Sequence, residues 1–337
     1  MKEKLKIIII GYYGKLNAGD DLLQLSMCQI FKDHDLMFTS WFPGIDIMNS
    51  VDLIVVGGGS IWPNYSFFQH GKELSKKLKT PLVVLGISAK NSDKKIQEET
   101  KYLLDIATYF HVRDSQSKEI IGDDRIIVGT DLYWWSKHHI PKADDIDMSA
   151  VSLNLRPWDG SEWDVNSLNN KINEHYKTVQ PFPFYFGSAR HESQASIQDY
   201  ELSESLGYQN TPESFDISCL RHSSATIAMR FHALLVSIRA EIPIIGFDYH
   251  NKTKNLFSEN SIPELCVPLN NTQALENAIV LLKSNYEYYK SLTIAIKDRN
   301  LVRAKHDQII FLKTLSKIEP RSENKSQKIK RILKRYL

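Results

Sequence analysis

Cysteine is scarce and scattered: Cys28, Cys219 and Cys266 are the three in 337 residues. None has the spacing of a metal knuckle or a redox pair. That excludes a disulfide framework and fits a reducing cytoplasm. Charge of one sign is also lacking. The 42 Lys and Arg nearly balance the 40 Asp and Glu, leaving a formal net charge of +2, so no bulk field marks a nucleic-acid partner. No apolar run approaches the roughly 20 residues of a membrane span. The early run Ile7–Ile10 stops at Gly11 without a small-residue cleavage site and reads as a buried strand, not a signal peptide. No carboxylate–histidine cluster demands a metal, and no motif calls for a cofactor. With 42% hydrophobic and 24% charged residues the composition is that of a globular protein, long enough for about two domains.

What is present is an alternation of short aliphatic runs with helical stretches. Strands are expected at Lys6–Ile10, Leu53–Val56, Leu82–Gly86, Tyr109–Val112 and Ile126–Val128. Between them Asp20–Phe31, His70–Leu78, Ile96–Ala107 and Ser115–Ile121 read as helices. Continuous Ile and Val, rather than alternation with polar residues, indicates strands buried on both faces, as in a parallel sheet covered by helices. A polar linker, Ser136–Met148, leads to a second series. Its strands are expected at Val151–Leu155, Phe182–Phe186, Ala225–Ala228 and Ile242–Gly246. Its helices are expected over Val165–Val179, with its flank, Ala233–Arg239 and much of Leu275–Leu315. Gly187–Thr211 is polar and has no clear pattern. The expected fold is α/β, two Rossmann-like doubly wound domains facing across a cleft. The expected domains are residues 1–140 and 149–316, followed by a basic tail at 317–337.

The candidate chemistry follows the strands, where doubly wound sheets bind ligands. Arg230 and His232 stand two residues apart in Ala228-Met229-Arg230-Phe231-His232-Ala233. A guanidinium grips carboxylate or phosphate, and an imidazole exchanges protons near neutrality. Together they suit a small, doubly anionic substrate that undergoes proton transfer; the alternative is the solvated first turn of a buried helix. Gly11–Asp20 forms a glycine loop that leads into a helix Asp20 can cap. Asp20 and Asp21 argue against a phosphate cradle there. Gly57-Gly58-Gly59-Ser60 suggests backbone amides turned to a ligand. Arg113-Asp114 is either an anion site or an Arg–Asp pair bridging loops. Asp248–Lys254 is a polar loop that can bring Lys252 to the same edge as Arg230.

The order of these motifs resembles the polysaccharide pyruvyl transferase family over roughly residues 5–285. Gly-x-x-Gly-x-x-Asn-x-Gly-Asp stands at Gly11 to Asp20, the glycine triplet at Gly57–Gly59, and Arg-Asp-x-x-Ser at Arg113 to Ser117. Arg-Phe-His-Ala stands at Arg230 to Ala233 and Tyr-x-x-Lys at Tyr249 to Lys252. Ala228 and His250 replace the Gly and the acidic residue common in the family. The resemblance implies a GT-B-like fold and transfer of an enolpyruvyl-derived group from phosphoenolpyruvate to two sugar hydroxyls, giving a pyruvate ketal. It implies His232 as the acid–base group and Arg230 as the donor-anion residue. Arg113 and Lys252 are the further anion binders, and Tyr249, Asn17, Asp20, Gly14, Gly58, Gly59 and Ser60 the remaining contacts. No metal or cofactor is implied. The implied acceptor is a saccharide of a cell-surface polysaccharide or its precursor, including lipid-linked forms.

Two other functions compete. One is a glycosyltransferase of the same fold using a nucleotide sugar, for which Glu259 or Glu264 would bind the ribose. The other is a non-catalytic saccharide-binding or assembly protein. Trp158, Trp163, Tyr185 and Phe186 are candidates for stacking on sugars, or ordinary core and rim aromatics. In Ser326–Leu337, Ile329, Ile332, Leu333, Tyr336 and Leu337 form an apolar face opposite five basic residues. Such a helix lies on an anionic membrane surface, here the inner face, or packs on the protein.

Overall fold

The computed structural model describes residues 3–138, 140, 145–158, 164–186 and 199–320. The tail from residue 321 onward, Trp163 and residues 187–198 lie outside the described residues. The described chain divides into two compact units. One takes 3–13, 23–136 and 303–320, and the other 14–22 and 137–302.

The first unit is built on β1 (Lys6–Ile10), β2 (Asp35–Thr39), β3 (Leu53–Trp62), β4 (Leu82–Ala89), β5 (Ala107–Val112) and β6 (Ile127–Val128). They form one sheet in the order β2-β1-β3-β4-β5-β6, with every pairing parallel. The aliphatic runs of β1, β3 and β4 occupy its centre, and Ile8, Ile54 and Val84 have no exposed surface. The helix Lys94–Ile106 starts at Asp93, whose carboxylate accepts from Ile96 N. Ser115–Ile121 starts at Asp114 in the same way and stops at the left-handed Gly122.

The second unit has β7 (Asp147–Asn154), β8 (Thr178–Pro181), β9 (Ser223–Ala228), β10 (Ile244–Asp248) and β11 (Cys266–Pro268). Their order is β11-β10-β9-β7-β8, again parallel throughout. The chain moves from β7 outward to β8, then returns to the other side of β7 at β9. The gap between the carboxyl ends of β7 and β9 is therefore this sheet's topological switch point, the usual ligand position in such folds.

Several sequence expectations are corrected. The glycine triplet does not end its strand. β3 runs on through Gly57–Gly59, with Gly57 paired to Leu85 and Gly59 to Ile87. A Cβ on Gly57 would lie 1.9 Å from the Leu85 carbonyl oxygen, so the residue is small because two backbones meet there. The first long helix begins at Ala18, not Asp20. Its cap is Asn17, whose Oδ1 accepts from Gly19 N at 3.2 Å. The helix expected with its flank over Val165–Val179 is Val165–His175, and β8 begins at Thr178, ahead of the expected Phe182. The polar stretch after β10 is a helix, Asn251–Glu259, capped by His250. Leu275–Leu315 is largely helical as expected, in two helices, Thr272–Ser284 and Tyr286–Leu315. Among the described residues no helix is long and apolar enough to cross a membrane.

Candidate active site

The segment 14–22 follows β1 directly, yet packs with the second unit. Ala18 N donates to Phe184 O at 2.8 Å, and Phe186 N donates to Leu16 O at 2.9 Å. Asn17 forms an antiparallel bridge with Tyr185. This stitch carries the end of the glycine loop to the residues that follow β8 and β9. Gly19 then lies against His232, and a Cβ there would be 2.5 Å from the imidazole Nδ1.

Arg230 leaves β9 and stands at the N-cap of the helix Phe231–Arg239 without a side-chain capping bond. Its backbone N donates to Asn154 Oδ1 at 2.9 Å, which ties it to the end of β7 across the switch point. Its guanidinium is taken by Asp199: Nε reaches Oδ2 at 2.5 Å and Nη2 reaches Oδ1 at 2.6 Å. This is the two-pronged geometry that Arg favours with carboxylates. Asp199 is fully buried, and its Oδ2 also accepts from Phe184 N at 3.0 Å and Asn154 Nδ2 at 3.2 Å. Burial works against the charge on Arg230. The pull and hydrogen bonds of Asp199, with smaller contributions from Tyr249 and Asp20, more than offset it and hold the guanidinium above its ordinary pKa. The Tyr185 ring lies 5.3 Å from Arg230 Cζ.

After β10, Tyr249 and Lys252 continue the same edge. Lys252 Nζ stands 5.9 Å from the Phe231 ring centroid, and its backbone N donates to His250 Nδ1 at 3.3 Å. Tyr249 meets Trp158 edge to face at 5.1 Å.

The sequence-predicted residues thus fall into two sets. Gly14, Asn17, Asp20, Arg230, His232, Tyr249 and Lys252 belong to the second unit, while Gly58, Gly59, Ser60 and Arg113 belong to the first. Of the second set, Gly14 is exposed, with nothing near the position its Cβ would take. In the first set, Arg113 is buried and donates from Nη1 to Asp131 at 2.9 Å and from Nη2 to Ser60 Oγ at 3.1 Å. Asp114, 3.7 Å from Nε, caps a helix. Gly58 and Gly59 sit inside β3 with φ of +77° and +88°. Glu264, weighed as a ribose ligand, accepts from Tyr289 at 2.8 Å. Among the described residues no group of His, Cys, Asp or Glu is placed to hold a metal.

Three residues of this edge escaped the sequence: Asp199, Asn154 and Arg156. Asp199 lay in a stretch without pattern, and nothing local ties it to Arg230. Arg156 had a usable signal, since it follows the strand run Val151–Leu155, the position that marked the other motifs, whereas Asn154 lies inside that run.

Comparison with known proteins agrees with the fold. The structure of HepE from Anabaena in complex with UDP-glucose is similar over 93% of this chain and 99% of that one, with a TM-score of 0.60 and 12% identity. The UDP-GlcNAc 2-epimerase from Neisseria meningitidis bound to UDP-GlcNAc is similar over 94% and 100%, with a TM-score of 0.55 and 10% identity. At such identities the likeness establishes the fold alone, a GT-B-like α/β architecture. Among curated proteins, none matches the sequence. The model of one family, polysaccharide pyruvyl transferase, matches residues 5–251. That span holds the glycine loop, the Arg113 motif, the Arg230–His232 pair and Tyr249, so the chain belongs to the polysaccharide pyruvyl transferase family.

Proposed function

We propose that the protein transfers an enolpyruvyl-derived group from phosphoenolpyruvate onto a sugar of a cell-surface polysaccharide or its precursor, forming a pyruvate ketal. One observation carries this reading beyond the family. Motifs more than 200 residues apart, Asn17–Asp20 and Arg230–His232, meet within one unit, with Gly19 against the His232 imidazole. A proton-transfer group stands there beside cationic residues at the carboxyl edge of a parallel sheet.

The reaction needs little else. Two sugar hydroxyls lose their protons. One proton ends on the methylene carbon of the donor, which becomes a methyl group. The other leaves with inorganic phosphate as both sugar oxygens bond to the former enol carbon. His232 moves protons at the methylene carbon or the attacking hydroxyl, a role for which an imidazole is suited near neutral pH. Lys252 adds to the positive field in which the anionic donor rests and phosphate departs, while Arg230, bonded to Asp199 and Asn154, holds the edge together. Asn17, Asp20 and Tyr249 frame the same edge.

The test is acceptor-dependent phosphate release from phosphoenolpyruvate over a panel of saccharides, with mass spectrometry of the product. His232→Ala is expected to lower kcat by about 10²–10⁴-fold at an unchanged melting temperature. Consumption of a nucleotide sugar, with phosphoenolpyruvate untouched, would replace this reading with a glycosyltransferase.

A further inference from the structure

Two arginines flank the switch point of the second sheet, and they differ in what balances their charge. Arg230 gives both Nε and Nη2 to the buried Asp199. Arg156, two residues beyond the end of β7, has no carboxylate partner among the described residues. Its Nε makes only a long bond, 3.4 Å, to the carbonyl of its own neighbour Pro157. Two aromatic rings hold it in place: its Cζ lies 5.6 Å from the Trp158 centroid and 5.8 Å from that of Tyr249. Those rings meet edge to face, and Arg156 N donates to Met229 Sδ at 3.4 Å, which fixes the backbone next to Arg230.

Ring faces orient a guanidinium and restrict its motion without neutralising it. A half-buried cation kept in this way retains its pull on an oxyanion, and its flat fork of donors matches carboxylate and phosphoryl groups. A guanidinium already bonded to a buried carboxylate presents little net charge. We infer that Arg156 is the residue that grips the anionic ligand of this edge, a phosphoryl or carboxylate group. Arg230 is a positioning residue that holds Asp199, Asn154 and the start of the His232 helix together. Where the ligand is named as phosphoenolpyruvate, the inference rests on the function proposed above; the anion site itself does not.

Calorimetric titration of the full-length protein with phosphoenolpyruvate, inorganic phosphate and UDP tests the assignment in wild type, Arg156→Gln, Arg156→Lys and Arg230→Lys. Arg156→Gln is expected to weaken binding by about tenfold or more, and Arg156→Lys to recover part of it, both at the wild-type melting temperature. Arg230→Lys is expected to melt lower while holding inorganic phosphate within about threefold of wild type. Wild-type affinity in Arg156→Gln, or no binding of any of the three anions to the wild type, overturns the inference. Binding of inorganic phosphate or UDP but not phosphoenolpyruvate, lost in Arg156→Gln, keeps Arg156 as the anion residue and removes the proposed donor.

Discussion

Gly19 sits in the first turn of the helix Ala18–Ile30, where alanine would ordinarily be the better helix former by about 1 kcal/mol. A methyl group there would nonetheless press within 2.5 Å of His232 Nδ1, and the nearest atoms belong to a side chain, which shifts at less cost than backbone. Gly19→Ala is therefore expected to leave the melting temperature unchanged or slightly raised while kcat falls by up to about 100-fold, the penalty of a misplaced acid–base group. Steady-state kinetics beside a thermal melt separates the two effects, and full activity in the variant would show that Gly19 does not place the imidazole. At this scale the sequence marked the candidate residues but not their pairing. Arg230 and His232 stand out because cation and imidazole adjoin in an apolar setting. Asp199, 31 residues upstream of Arg230, is one acid in a polar stretch. Only the folded chain makes it the buried partner of Arg230.

The elements were legible where they are buried and obscure where they are not. β1, β3 and β4 announce themselves because a central parallel strand is covered on both faces and reads as unbroken aliphatic sequence. The edge strand β2 has two of its five residues exposed and none fully buried, so its Asp-Leu-Met-Phe-Thr carries no such run. β8 hides behind Phe182 and Phe184, which are fully buried in the chain that follows it and supplied the misleading apolar signal. The glycine triplet failed differently: glycine reports the need for space or for positive φ without saying which. At Gly57 the need is space between two strands, with the Leu85 carbonyl as the neighbour. Backbone cannot swing aside as a side chain can, so Gly57→Ala is expected to destabilise the first unit by about 2–3 kcal/mol, read as a lower midpoint in urea. A midpoint equal to wild type would mean that β3 and β4 part more readily than their pairing implies.

For the molecule as a whole, acid should be the weak side. His111 is fully buried beneath Gly86, whose N donates to its Nδ1 at 3.1 Å. Burial lowers its pKa to about 4, with Asp307 and Asp131 offsetting part of the shift. The unfolded chain takes up that proton near pH 6.5 and the folded chain not until about pH 4. Between those values the unfolded state binds more protons, so stability falls as pH falls, by about 3 kcal/mol at the limit, and is unaffected above about 6.5. His138, also lowered to about 4, first by burial and then by Arg239, acts in the same direction. Melting temperatures taken from pH 7 down to pH 4.5 should drop, and the slope should flatten in His111→Gln; an equal slope in the variant would assign the acid sensitivity elsewhere.

The stitch at residues 14–22 has a consequence for how this protein can be divided. The chain gives a short piece from its beginning to the unit made mostly of 137–302, and returns 303–320 to the unit that holds β1. Neither unit is a cassette. A fragment started at the polar linker would lack Asn17, Gly19 and Asp20, and with them the surface on which His232 rests. Exchanging halves at that linker would set His232 against a foreign opening loop, so a chimera must carry the opening loop and the second unit from the same parent.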